Sequence, residues 1–293
     1  MDVKTTIPIS FELFPPNTVE KIRDLGLTCD QLSTFKPDYF SVTFGAGGSN
    51  RDKTFHVVKL LLEKHIEVAP HLTCIGMSKK SIRQVLDTYI EWGVSHLVAI
   101  RGDLPEDVNP DSGDFQHADE LVRFVQHETG NHFHISVAAY PEFHPQSCNI
   151  FVGIENFQHK INARANDAIT QYFFNPDAYF YFLESCQKVG IDAPIIPGIM
   201  PIHCCEKLLR FSNLCGAEIP AWLLKRLEAY RHDKNSFRAF GVEVVSKLCE
   251  ALIKGGAPGL HFYTLNQYEP TLTILENLSV KVPLQTNSDN VRV

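Results

Sequence analysis

Short runs rich in β-branched and aromatic residues alternate along this chain with stretches of helical period. The runs are IPISFELF (7–14), YFSVTFG (39–45), EVAPHLTC (67–74), HLVAIRGD (96–103), HISVAAYP (134–141), AITQYFF (168–174), PIIPGIMP (194–201) and GLHFYTL (259–265). Most are almost continuously apolar, as parallel strands are when helices cover them. Between them lie amphipathic patterns. DKTFHVVKLLLEKH places Phe55, Val58, Leu61 and Leu62 on one stripe. SKKSIRQVLDTYIEWG opens on Ser78 as a cap and closes on Gly93, and ADELVRFVQHETG closes on Gly130. DAYFYFLESCQKVG and FGVEVVSKLCEALIKGG follow the same grammar. Strand starts are roughly evenly spaced except before the last, where an insert of two or more helices includes EIPAWLLKRLEAY.

Eight β-α units in one chain predict an α/β fold, a (β/α)8 TIM barrel with an extra helical insert before the last strand. The alternative is a doubly wound sheet, which has fewer strands and a glycine fingerprint on its first turn. GAGGSN (45–50) follows the second strand instead, and Asn50 stands where the third glycine would be. It reads as a flexible βα loop or as a loop meeting a phosphate or flavin edge. PEDVNPDSGD (105–114) reads as a polar surface loop or lid. Residues 1–280 are expected to form a single domain, and 281–293 a polar tail.

Composition narrows the function classes. A hydrophobic content of 44% with 21% charged residues is that of a soluble globular protein. A net charge of -7 argues against general affinity for nucleic acid or an anionic membrane. No apolar run is long enough to span a bilayer, and MDVKTTIPIS has no secretory pattern, so a cytoplasmic location is expected. The eight cysteines form no CxxC pair and read as reduced thiols. Cys204 and Cys205 beside His203 suggest a metal, but adjacent cysteines do not easily ligate one ion. His132 and His134, with His144, hint at a metal hydrolase. The first two, however, start strand five, at the rim opposite barrel catalysis.

Catalytic groups of such barrels gather at the C-terminal ends of the strands. Glu12, Thr43, His71, Thr73, Arg101, Asp103, Tyr140, Gln171, Tyr263, Thr264 and Asn266 all fall there. Glu12, between Phe11 and Leu13, should be partly desolvated, which raises a carboxyl pKa and suits a general acid. Asp103 follows Arg101 by two residues, so both point to one face of a strand. They form either a functional charge held beside a cation or a structural ion pair.

The motifs SFELFPP, SVTFGAGG, APHLTC, RGDLP, SVAAYPE, AITQYFF, PGIMP and HFYTLN stand in the order found in the methylenetetrahydrofolate reductase family. The resemblance runs from about Ser10 to Asn266, and the length is similar to the bacterial, single-domain form. It implies an FAD-containing barrel that NAD(P)H reduces. The nicotinamide then leaves, and 5,10-methylenetetrahydrofolate binds in the same place and is reduced to 5-methyltetrahydrofolate, a methyl donor for methionine synthesis. A homo-oligomer is the expected assembly. A rival reading is a folate- or flavin-binding subunit that takes its electrons from a partner protein.

By the same resemblance Glu12 is the general acid, and Asp103 lies between the flavin and the pterin. Thr43, His71, Arg101, Gly102, Asp103, Ala118, Tyr140, His144, Asn156, His159 and Lys160 match positions that hold FAD. Glu12, Thr43, Asp103, Gln171, Lys207, Phe211 and Gln267 match positions that meet the folate or nicotinamide. Some positions depart from the family pattern. Gly153 replaces an acidic ligand, although Glu155 is near, and His159 replaces an arginine. Lys207 and Gln267 replace a glutamine and an arginine near the folate, so Lys207 could restore the charge that Gln267 lacks.

Overall fold

The computed structural model describes residues 7–45, 51–102, 113–142 and 149–278. Its strands are β1 (Ile9–Leu13), β2 (Tyr39–Val42), β3 (Val68–Thr73), β4 (His96–Ile100), β5 (His134–Ala139), β6 (Asp167–Thr170), β7 (Ile195–Ile196), β8 (Gly198–Ile199) and β9 (Leu260–Tyr263). All pairings are parallel, in the order β7-β6-β5-β4-β3-β2-β1-β9-β8. The expected barrel is therefore present, with one difference. PIIPGIMP is not one continuous strand, because Pro197 has no N–H to give the ladder. Its first half pairs with β6 and its second with β9. The ring closes through this broken strand, bridged by His261 N to Pro197 O (3.1 Å) and Gly198 N to Thr170 Oγ1 (2.9 Å). A Cβ on Gly198 would lie 2.1 Å from Thr170 O and 2.6 Å from Tyr263 Cε2, so only glycine fits.

The other runs stop pairing earlier than their apolar length suggests. Residues 43–45, 101–102, 140–141 and 171–174 leave the ladder and build the rim of the barrel.

The helices are α1 (Val19–Ser33), α2 (Arg51–Glu63), α3 (Lys79–Glu91), α4 (Ala118–Thr129), α5 (Ile150–Asn162), α6 (Pro176–Lys188), α7 (Cys205–Cys215), α8 (Ala221–Ala229), α9 (Lys234–Lys254) and α10 (Glu269–Asn277). Side-chain caps start several of them. Thr18, Ser78, Asn149, Asn175 and Asp233 each accept from a backbone N–H of the first turn, which satisfies donors the helix itself cannot. The insert before the last strand holds α7, α8 and α9.

Side chains of a strand alternate between its faces. Phe11 and Leu13, both fully buried, point outward into the large core between strands and helices. Phe11 meets Phe40 at 5.3 Å and Phe262 at 6.1 Å between ring centres. Each such burial contributes roughly 1.5–3 kcal/mol. The inward set forms a small separate cluster of Tyr39, Ala69, Val98 and Ile169, with Ile100 and Tyr263.

Around that cluster the barrel interior is polar, where bulky aliphatic layers are usual. Ser10 Oγ lies 2.7 Å from His261 Nδ1, and Ser136 Oγ lies 2.8 Å from His96 Nε2. Burial pulls the imidazoles of His96 and His261 down to about 4 and about 3, so both are neutral near pH 7.

Candidate active site

The site begins with the exit of β1. Because Phe11 and Leu13 face the helices, Glu12 faces the interior, paired in register with Ser41 on β2 and Tyr263 on β9. Its backbone is held as well. Thr264 Oγ1 donates to Glu12 O at 2.7 Å. Leu265 and Asn266 then turn the chain with φ of 50° and 57°. Asparagine tolerates this left-handed backbone better than most residues. The turn aims the Asn266 amide at Phe14, accepting from its N–H (3.0 Å) and donating to its carbonyl (2.8 Å). The end of β1 is thus fixed by the residues that follow β9.

Inside the rim, Glu12 Oε2 lies 3.4 Å from His71 Nε2 on β3. Burial raises the Glu12 carboxyl to about 8 and lowers the His71 imidazole to about 4. Near pH 7 the pair is therefore a protonated acid facing a neutral ring, and the contact is not an ion pair. The Glu12 side chain keeps 21% of its surface accessible, which leaves its proton within reach of a bound molecule. Tyr263 donates to Thr170 O at 2.7 Å. Burial first, then Glu12 and Tyr140, hold its phenol well above the usual value, so it stays neutral.

A cationic sector lies along the same rim. Lys160, near the end of α5, donates to Ala138 O on β5 and sits 5.9 Å from the centre of the Tyr140 ring. Burial lowers its ammonium to about 8, opposed by Asp119. Arg101 follows β4, and its carbonyl accepts from Cys74 N (3.2 Å) and Ile75 N (2.9 Å). Gly102 next to it has φ of 84°, and a Cβ there would press on Thr73 at 3.0 Å. A lysine beside a phenol ring, and an arginine followed by a glycine backbone at the same rim, suit an anionic, partly aromatic molecule.

Thr43 is tied to the exit of β1, donating its N–H to Leu13 O and accepting from Thr54 Oγ1, each at 2.9 Å. Gln171 lies just past β6, with its N–H on Ala139 O (2.8 Å) and its Oε1 accepting from Tyr172 N (3.0 Å). Ala118 is the first residue of α4, and Asn156 and His159 are exposed on α5. A Cβ on Gly153 would meet nothing within 4 Å. Phe211 packs partly buried against the large core, one turn from the exposed Lys207 on α7. Gln267 is exposed after β9. Asp103, His144 and residues 46–50 lie outside the described residues.

Two groups at this rim escaped the sequence reading. Tyr172 shares a 2.9 Å hydrogen bond with Ser212 Oγ on α7 and lies 6.3 Å from the Tyr263 ring. Glu142 accepts from Glu218 N at 2.8 Å. Both tie the helical insert to the strand ends. The signal for Tyr172 was a hydroxyl just beyond a strand terminus, inside an otherwise apolar string. The cysteines Cys29, Cys74, Cys186, Cys204, Cys205, Cys215 and Cys249 are free thiols. Among the described residues, no helix is long and apolar enough to cross a membrane.

A family model described as methylenetetrahydrofolate reductase matches residues 1–279. A 5,10-methylenetetrahydrofolate reductase of Pectobacterium carotovorum is 37% identical over 96% of this chain and 93% of its own length. That of Escherichia coli K12 is 36% identical over the same shares. A rice relative, described as a probable methylenetetrahydrofolate reductase (NADH), is 33% identical over 92% of this chain and 48% of its own. Among solved structures, an uncharacterized protein from Clostridium thermocellum, described as binding two copies of 5-methyl-5,6,7,8-tetrahydrofolic acid, superposes with a TM-score of 0.65. It shares 18% identity and covers 94% of this chain and 95% of its own, a likeness of fold.

Proposed function

The chain belongs to the methylenetetrahydrofolate reductase family, and from that premise we propose that it reduces 5,10-methylenetetrahydrofolate to 5-methyltetrahydrofolate with electrons from NAD(P)H, by way of FAD. The observation that carries the reading is Glu12, a carboxyl raised to about 8 at the inner rim. The reaction needs a proton donor there. Glu12 protonates the departing nitrogen of the five-membered ring, and the ring opens to an iminium, the hydride acceptor. His71, held neutral at 3.4 Å, adds no positive charge that would ionise the acid early. Tyr263 closes the interior side of the carboxyl without taking its proton.

The rim fits FAD in its donor chemistry. Arg101 and the desolvated Lys160 would meet phosphates or ring oxygens, and Gly102 lets the backbone approach closely. When bound, FAD supplies the hydride, received first from the nicotinamide. The role of Asp103 is supported by the RGDLP motif alone. Phe211 and Lys207, one turn apart on α7, would face whichever of nicotinamide or folate is bound. Methionine synthesis is the proposed use of the product, and an oligomer of identical chains the proposed assembly.

The test is a spectrum of the purified chain with FAD, followed by anaerobic NADH and then the folate. Flavin absorption that bleaches with NADH and returns with folate supports both half-reactions. A flavin that NADH leaves oxidised would favour the partner-dependent reading. Failure to bind flavin would overturn the proposal.

A further inference from the structure

At the opposite end of the barrel a second group of chemistry-bearing residues converges. His96 starts β4, His134 starts β5 and Asp167 starts β6, on three neighbouring strands paired in register. One ring nitrogen from each histidine and a carboxylate oxygen of Asp167 lie within 4.8 Å of one another. The two rings meet edge to face with centres 4.6 Å apart. His134 Nε2 is 2.8 Å from Asp167 Oδ2. The other carboxylate oxygen, Asp167 Oδ1, is buried without a hydrogen-bond partner, on a residue only 8% exposed. The ion pair with His134 leaves that oxygen at a desolvation cost, which a cation held by the carboxylate would offset.

The surroundings match. Ser136 Oγ contacts His96 Nε2 at 2.8 Å and orients the ring, as outer partners of ligating histidines do. The His134 side chain is 47% exposed and lies on the wall of a cavity of about 410 Å³, which gives an ion and its waters a way in. His132, the other half of the HFH motif, is occupied by Val94 O at 3.1 Å and plays no part.

We propose that His96, His134 and Asp167 bind a divalent cation of the zinc class at the N-terminal rim, with water completing the shell. Two imidazoles and one carboxylate are a donor set for such borderline ions, and poor for calcium or magnesium, which take oxygen ligands. The place decides the role. The N-terminal face of a barrel serves stability, so the ion would tie β4, β5 and β6 together and leave the chemistry at the other rim unchanged.

The test uses the full chain, stripped with chelator and titrated with Zn²⁺ by calorimetry and with Co²⁺ by visible absorption. The expected result is one saturable equivalent, a Co²⁺ spectrum without thiolate charge transfer, and a thermal midpoint that climbs with metal. His134→Gln changes an exposed ligand and should fold; it should lose the saturable binding and the climb. Cys204→Ser with Cys205→Ser should keep both. Absence of saturable binding in the parent chain would overturn the site. So would binding that survives His134→Gln, or binding lost with the cysteines.

Discussion

Glu12 and His71 face each other at 3.4 Å across the inside of a barrel, and the same burial that puts a proton on the first keeps one off the second. Had both been charged, the acid could not donate. Desolvation alone sets the two states, so removing one partner should alter its neighbour little.

Glu12→Gln should therefore leave the fold and the reduction of bound flavin by NADH intact while folate reduction falls by roughly 10²–10⁴-fold, the range for a lost general acid. Stopped-flow measurement of the two half-reactions separates them. Equal loss in both would assign Glu12 to cofactor binding.

The rate of folate reduction should fall as pH rises through about 8, where Glu12 loses its proton, while reduction by NADH stays level there. Stability has its own pH dependence. The folded pKa of Glu12 lies above its unfolded value, so its contribution is full below about 4.5 and is lost as pH rises through about 8. His71 and His261 have depressed folded values, so the unfolded chain binds their protons first and stability falls as pH drops from about 6.5 towards 4. Melting temperature against pH should show a maximum between these limits, and His261→Gln should flatten its acid side.

Lys160→Met keeps the packed stem and removes the charge. Loss of a charge-assisted bond is worth about 1.5–3 kcal/mol, so FAD affinity should weaken roughly 10- to 100-fold, with the circular dichroism of the apo-protein unchanged. Flavin fluorescence titration reads this directly.

Asn266→Ala removes both hydrogen bonds to Phe14 and leaves alanine at a φ of 57°. The combined cost should be roughly 2 kcal/mol in denaturant unfolding. Because the change frees the exit of β1, folate reduction should slow more than flavin reduction does.

Much of this was legible in the chain. Near-continuous apolar runs separated by capped amphipathic stretches point to a parallel barrel, and Glu12 stood out as a charge inside such a run. Other features were hidden by the same apolar runs. In GLHFYTL, His261 points inward between outward Leu260 and Phe262, yet the string reads as one hydrophobic block. Ser10 is masked in the same way, and the polar interior appears only when the ring brings these alternating positions together. His134 was rightly placed at the far rim, but its partners His96 and Asp167 are distant in sequence. The helices α1, α5, α7 and α10 were not singled out, although α1 buries a helical stripe of Leu25, Cys29 and Leu32. Pro197 looked like part of a strand because its neighbours are apolar, although a missing N–H is what divides that strand in two.

That division has a mechanical meaning. Every other junction in the ring is a ladder of several rungs, whereas here each neighbour holds only a two-residue segment. A hoop with one such seam yields there first. The amides of Ile195, Ile196, Gly198 and Ile199 should exchange with solvent ahead of those in β3 or β5. The helices α7 to α9 follow the seam directly in the chain, so an opening there would reach this insert before it reached Glu12 on β1.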